Sequence, residues 1–415
     1  MLQTAGMGWT YLVLSLLGLG HAVNALRPSR PNMMVLVWSF FASWLTIELI
    51  WHHIILGLVI SAVCISGGAL DTVPGVIGLA LMVITEALLV SIARVTRTTI
   101  VSIRDALAEL EPGPDAPRFP RSHAVFPFLL GHRRGLSLRR NVTYGRAGGK
   151  RLRLDITVPS APVPGGGALR PALLQIHGGG WVIGDKREQG LELVTHMAAQ
   201  GWVGFNANYR LSPWATFPDQ LDDVTAALTW VREHAAEYDV DPDFVCVTGG
   251  SAGGHLSSLL ALTADPPVAG AVPFYGVYDF TTDGAFGEDR RVFDMFLEAW
   301  VMKAFVDEEP ERYEQASPIH RITEDAPPFF VIHGDKDTLA PVRDARRFVA
   351  RLREVSRQPV AYAEMRGAQH AFEVFPSFRT VRVMEGVERF LSTLWERRNS
   401  SRPATEAELA DALTE

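Results

Sequence analysis

Three apolar blocks crowd the first ninety-odd residues of this chain, and they limit it more than any other feature. Residues 9–26, 33–70 and 73–93 are almost continuously hydrophobic, and only Arg27, Arg30, Glu48, Asp71 and Glu86 carry charge before residue 94. A helix needs about 20 apolar residues to cross a hydrocarbon core. The first block lacks the basic start of a signal peptide, and two more blocks follow it. The sequence therefore predicts a helical segment that spans the membrane more than once, with the bilayer as a partner.

Arginines set the expected orientation. Arg27 and Arg30 lie between the first two blocks, and Arg94, Arg97 and Arg104 follow the last. Both clusters belong on the cytoplasmic side by the positive-inside rule, which three spans and a cytoplasmic C-terminal region satisfy. The middle block is too long for one span. It must tilt, protrude or split near His52 and His53, and a split giving four spans would put the rest of the chain outside. Glu48 and His52, four residues apart, are expected on one helix face, paired with each other or with headgroups. Glu86 is an ionisable group at depth, which makes it a functional candidate by default. None of the three is given a part in the chemistry below.

Beyond the apolar blocks, Ile100, Ile103, Leu107 and Leu110 recur at helical spacing, so residues 97–110 read as an amphipathic helix leaving the membrane. The proline- and glycine-rich EPGPDAPRFP then marks a boundary. The apolar VFPFLL at 125–130 fits either a cap on the next domain or a bilayer contact. The expected division is 1–96 transmembrane, 97–135 helix and linker, 136–396 catalytic domain and 397–415 polar tail.

From residue 136 the pattern changes to alternating strands and helices. SLRRNVTY and RLRLDITVP flank a glycine turn and read as a hairpin. ALLQIH, WVGFNANY, FVCVTG, VAGAVPFYG, PFFVIHG and PVAYAEM are short buried strands, with helices expected at 189–200, within 217–238, and in HLSSLLALTA. Such alternation implies a mostly parallel sheet covered on both faces. Cys64 and Cys246 both sit in apolar runs and read as small hydrophobes; no zinc-ligand spacing is present. A net charge of −7 argues against a nucleic-acid partner.

Two glycine-rich turns carry the chemistry. Gly249-Gly250-Ser251-Ala252-Gly253 is a G-x-S-x-G motif between a predicted strand and a predicted helix. A sharp turn there exposes the Ser251 hydroxyl, and the flanking glycines remove Cβ atoms that would clash. His177-Gly178-Gly179-Gly180-Trp181 directly follows another strand, where glycines let backbone N–H groups approach a developing oxyanion.

Together these motifs make the chain resemble the H-G-G-G class of α/β-hydrolase carboxylesterases and lipases, similar to the hormone-sensitive-lipase group. YRLSP, FPDQLDDV, GGSAGGHL, ASPI and HGDKDTLAPV extend the likeness over roughly residues 136–394. The resemblance implies an α/β-hydrolase fold behind the transmembrane segment. It implies oxyanion donors at the N–H groups of Gly179, Gly180 and Ala252. One departure is Gly250, where hormone-sensitive lipases usually carry aspartate.

In this fold the chain order is serine, acid, histidine. His255, His320 and His333 all precede the acid loop, and His370, in RGAQHAFE, follows it. Asp335 and Asp337 both qualify as the acid by position. The resemblance favours Asp337, leaving Asp335 as a turn-capping residue. The expected reaction is hydrolysis of carboxylic esters through an acyl-enzyme on Ser251, with His370 as base, Asp337 behind it, and neither cofactor nor metal. A serine peptidase or amidase of the same fold, or a non-catalytic binding protein, are the alternatives. An apolar insertion between residues 280 and 327, including Phe293, Met295, Phe296, Leu297, Trp300, Val301, Met302 and Phe305, is expected to be helical and either to cover the site or to pack in the core.

Overall fold

A computed structural model describes residues 2–28, 33–108, 110, 135–161, 169–281 and 290–401. The linker EPGPDAPRFP, the apolar 125–130 stretch, residues 282–289 of the insertion and the tail beyond 401 lie outside the described residues.

The N-terminal segment forms α1 (Leu2–Leu26), α2 (Met33–Glu48), α3 (Ile50–Ser66) and α4 (Val73–Thr96). Residues 6–26 and 73–106 are long and apolar enough to cross a membrane, and the bent pair 34–48 plus 50–66 would make a third crossing. Gly78 lets α4 lie close on α1: a Cβ there would stand 3.0 Å from the Leu12 backbone nitrogen. Small residues allow two helix backbones to approach this closely. Tyr11 of α1 donates to Ser61 of α3 at 2.8 Å. Trp9, Leu17, Leu58, Val63 and Val83 point outward from the bundle as exposed apolar side chains.

The middle block breaks at Leu49, and the axis turns by 87° there. The expectation that Glu48 and His52 share a helix face is therefore wrong: the helix ends between them. Glu48 is instead buried against the C-terminal domain, where its carboxylate accepts from Ser377 Oγ at 2.6 Å and lies 3.5 Å from Arg379 Nε. Glu86 packs against Gly57 of α3, and both its oxygens are buried with no hydrogen bond among the described residues.

The amphipathic stretch forms a short helix, α5 (Thr99–Ala106). It does not stand apart as a connector. Ile103, Leu107 and Leu110 enter one of the two cores of the following domain, and Ile103 fits against Gly386.

That domain is one eight-stranded sheet: β1 (Leu136–Ala147), β2 (Lys150–Pro159), β3 (Arg170–Ile176), β4 (Val203–Ala207), β5 (Val240–Gly250), β6 (Gly270–Phe274), β7 (Phe329–Gly334) and β8 (Val360–Met365). The spatial order is β1-β2-β4-β3-β5-β6-β7-β8, with β1, β2 and β4 paired antiparallel and the remaining pairs parallel. The first two strands are the predicted hairpin. Its two turn residues, Gly148 and Gly149, both have positive φ, as a tight hairpin turn requires. Helices α6 (Leu191–Ala199), α7 (Asp219–Glu233), α8 (Ala252–Thr263), α9 (Arg290–Phe296), α10 (Pro310–Gln315), α11 (Val342–Val355) and α12 (Phe378–Ser400) complete it. The last runs four residues past the boundary expected at 396.

Alternate residues of each central strand serve opposite faces. Leu174, Val245, Val247 and Val331 face the core that includes residues of α7, α8 and α11; Leu173, Cys246, Phe330 and Ile332 face the core under α6, α12 and α5. Cover on both sides explains why these strands read as unbroken apolar runs. Cys64 and Cys246 are buried free thiols, as expected. This is the α/β-hydrolase fold, and it delivers the C-terminal ends of β3, β5, β7 and β8 to one edge of the sheet.

Candidate active site

Ser251 sits where β5 turns into α8, with φ 60° and ψ −124°. A non-glycine residue in such a region costs about 1–3 kcal/mol and persists only when its surroundings impose it. Here they do. Ser251 N–H donates to the Phe274 carbonyl at 3.0 Å, and its own carbonyl accepts from His255 N–H at 3.0 Å. Neighbouring glycines are compulsory: a Cβ on Gly249 would lie 2.5 Å from the Ile176 carbonyl oxygen, and one on Gly253 would strike that same atom.

The His177–Trp181 loop leaves β3 beside the elbow; a Cβ on Gly178 would come within 3.1 Å of Ser251 Cβ. Gly179, Gly180 and Trp181 all have positive φ, and the Gly179 carbonyl accepts from both Val182 and Ile183. Gly178 N–H is taken by Gln189 Oε1 at 2.6 Å. The His177 ring is buried, which lowers its pKa, and it stacks on Tyr209 at 4.4 Å while its Nδ1–H donates to the Gly178 carbonyl at 2.7 Å. His177 thus shapes the loop.

Asp337, in the loop after β7, and His370, in the loop after β8, are brought together: Oδ2 lies 2.7 Å from His370 Nδ1. Asp337 Oδ1 accepts from Leu339 N–H and Ala340 N–H, both at 2.8 Å. Burial alone would raise its pKa. The His370 charge and hydrogen bonds from His333 and His370 outweigh burial and hold it well below the usual carboxylate range. Asp335 is set aside from this cluster. Its Oδ1 accepts from Gly367 N–H at 2.7 Å, tying the acid loop to the histidine loop, and burial raises its pKa. Gln369 makes a second tie, with its Oε1 accepting from Thr338 N–H and His370 N–H.

The other histidines are held elsewhere. His255 stacks on Phe280 at 4.5 Å and donates through Nε2 to the Ala316 carbonyl at 2.7 Å; burial pushes its pKa down to about 4. His320 lies 3.8 Å from Asp279. His333, which the sequence placed only ahead of the acid loop, meets the acid itself: its Nε2 lies 3.3 Å from Asp337 Oδ2 while donating to the Ala340 carbonyl.

Tyr275 is a residue that no motif signalled. Its ring lies 4.5 Å from the His370 ring, and its hydroxyl accepts from Gln189 Nε2 at 2.9 Å. Gln189 therefore bridges Tyr275 to Gly178. The described part of the insertion packs in the core and also approaches the glycine loop. Leu297, Val301 and Met302 are buried in the core, whereas Phe296 reaches within 3.6 Å of the Cβ position of Gly180. No group of side chains able to hold a metal occurs among the described residues.

The BD-FAE family profile matches residues 154–352. The chain is similar to a probable carboxylic ester hydrolase, LipM, of Mycobacterium tuberculosis: 47% identity over 244 residues, covering 54% of each chain. It is similar to esterase LipQ of the same organism, 40% identical over 284 residues, covering 65% of this chain and 66% of that one. The matches thus span about half to two-thirds of those relatives' lengths. Among solved structures, the propionate-bound Est2 esterase of Thermogutta terrifontis superposes with a TM-score of 0.53 at 24% identity, over 64% of this chain and 96% of that one.

Proposed function

We propose that this chain is a membrane-anchored serine hydrolase of carboxylic esters, with Ser251 as nucleophile, His370 as general base and Asp337 as its partner. The observation that carries the reading is the 2.7 Å contact between His370 Nδ1 and Asp337 Oδ2, at the sheet edge that also presents the Ser251 elbow. The similarity to mycobacterial esterases points the same way.

In this reading His370 Nε2 takes the Ser251 proton as the hydroxyl oxygen attacks the ester carbonyl. The Asp337 carboxylate holds the Nδ1–H tautomer and stabilises the imidazolium. The oxyanion is met by N–H groups of Gly179, Gly180 and Ala252, since Gly178 N–H is already committed to Gln189. Collapse breaks the C–O bond, and the imidazolium gives its proton to the leaving alcohol. Water then attacks the acyl-enzyme with His370 again as base, releasing the acid and restoring Ser251. The chemistry calls for no cofactor.

Helices α1 and α4, with the bent α2–α3 pair as a broken third span, would anchor the enzyme. The arginines after residue 93 would place the catalytic domain in the cytoplasm. The test is hydrolysis of aryl esters of graded acyl length by the full chain and by Ser251→Ala, with fluorophosphonate labelling of each. Turnover and labelling should both vanish in the variant. Full activity of Ser251→Ala would overturn the assignment, and protease cleavage of the catalytic domain in intact cells would overturn the cytoplasmic placement.

A further inference from the structure

The segment that carries His370 is gripped from outside the hydrolase domain. Helix α2 presents Phe40, Trp44 and Glu48, spaced by four and so aligned on one face. All three reach the chain just around and after His370. The Phe40 ring centroid lies 6.3 Å from that of His370, edge-on. The Trp44 indole N–H donates to the carbonyl of Ala371 at 2.9 Å, and its ring lies 4.8 Å from Phe375. The Glu48 carboxylate accepts from Ser377 Oγ at 2.6 Å and faces Arg379 at 3.5 Å. Arg379 in turn donates to the carbonyls of Arg366 and Gly367, at the start of the same loop. Val95 of α4 adds an apolar contact near Gly367.

These contacts matter because they meet a strained part of the loop. Ala371, directly after the base, has φ 57°, a conformation that a residue with a Cβ adopts at a cost. Trp44 bonds to the carbonyl of that very residue. The pair of Glu48 with Arg379 is buried on both sides, and a buried charge that loses its partner is strongly penalised. Three successive turns of α2 thus fix the loop near its middle and its end, while Asp335 and Gln369 fix it from the acid loop. The opposite face of α2 leaves Met34 and Trp38 exposed.

We infer that helix α2 is a positioning element of the catalytic centre: its Phe40, Trp44 and Glu48 stripe holds the His370 loop, so that the hydrophobic N-terminal segment completes the site as well as anchoring it. The inference rests on the hydrolase reading above. It makes Trp44 and Glu48 positioning residues, since neither meets the reacting atoms.

The experiment measures kcat and KM on an aryl butyrate ester for the full chain in detergent, together with thermal unfolding. The variants are Trp44→Phe, Phe40→Leu, Glu48→Gln, Glu48→Asp and, on the other face, Trp38→Phe. Misplacement of a catalytic group by about 1 Å can cost 10²-fold. Trp44→Phe should therefore lower kcat by about 10-fold or more while KM and the folded fraction hold. Glu48→Gln, which also leaves the buried Arg379 without its charge partner and so costs stability, should lower kcat per folded protein by a similar factor. Glu48→Asp should recover part of the loss, and Trp38→Phe should match the parent. Parental kcat in both Trp44→Phe and Phe40→Leu would overturn the inference. So would a fall in kcat that only follows a fall in folded protein. Activity persisting in Ser251→Ala would instead remove the hydrolase reading, and this inference with it.

Discussion

The Tyr275 hydroxyl fills the space beside Gly250: a Cβ built on that glycine would stand 2.5 Å from the phenolic oxygen. This explains the departure from the aspartate usual before the serine in the hormone-sensitive-lipase group. Gln189 Nε2 would be 2.9 Å from the same Cβ, so the Tyr275–Gln189 bridge and a side chain at 250 exclude one another. Gly250→Ala is expected to destabilise the fold by roughly 1–3 kcal/mol, the usual cost of overpacking, and Gly250→Asp by more. Tyr275→Phe removes the clashing hydroxyl and should restore part of the thermal stability lost in Gly250→Ala. Equal unfolding temperatures for Gly250→Ala and the parent would refute this account.

Asp337→Asn should keep the fold and lose the chemistry. The amide cannot hold the Nδ1–H tautomer of His370, and comparable changes cost on the order of 10⁴-fold in kcat. Asp335→Asn, which alters only the contact to Gly367 N–H, should cost far less. A larger loss in Asp335→Asn than in Asp337→Asn would reverse the assignment of the acid. The pKa of Asp337 is held below its ordinary 3.8, so its contribution to stability is present above that value and is lost only as pH falls beneath it.

Local chain chemistry made much of this site legible. The Ser251 elbow and the His177–Trp181 loop each occupy consecutive residues whose glycines declare a backbone requirement. The alternation of FVCV, FFVI and their neighbours with helical stretches declares a sheet covered on both faces. What stayed hidden depends on distant pairing. Trp44 and Ala371 are 327 residues apart, and nothing in either neighbourhood names the other. Leu49 lies in LTIELIWHH, which has no glycine or proline to announce a break, so Glu48 and His52 read as neighbours on one helix. His333 and Tyr275 end buried strands, where an apolar pattern conceals which polar tip meets the site.

Asp344, at the start of α11, gives a pH signature. Burial pushes its pKa from 3.8 up to about 7, against the hydrogen bond its carboxylate accepts from Tyr278 N–H at 2.6 Å. Between those two values the folded protein keeps a proton that the unfolded chain has released. Stability therefore falls as pH rises through that window and levels off above it. Glu373, also pushed up to about 7 by burial, adds a term of the same sign. Asp344→Asn, which preserves an acceptor without the charge, should lessen the drop in unfolding temperature between about pH 5 and about pH 8 without abolishing it. An identical drop in parent and variant would show that Asp344 does not titrate there.

Phe296 should govern acyl length. It stands 3.6 Å from the Cβ position of Gly180, one of the proposed oxyanion donors, and belongs to α9, whose continuation is anchored by the hydrogen bond from Phe217 N–H to the Val301 carbonyl. Because Leu297, Val301 and Met302 hold that segment in the core, removing the Phe296 ring should open space without releasing the cap. A pocket contact of one methylene is worth about 10-fold or more in kcat/KM. Phe296→Ala should therefore raise the ratio of kcat/KM for an octanoate over an acetate aryl ester by about 10-fold or more. Phe293→Ala, whose ring packs 6.1 Å from Phe280 instead, should leave the ratio near its parental value. If the two variants shift the ratio alike, the cap acts through its overall packing and Phe296 has no special place at the mouth of the site.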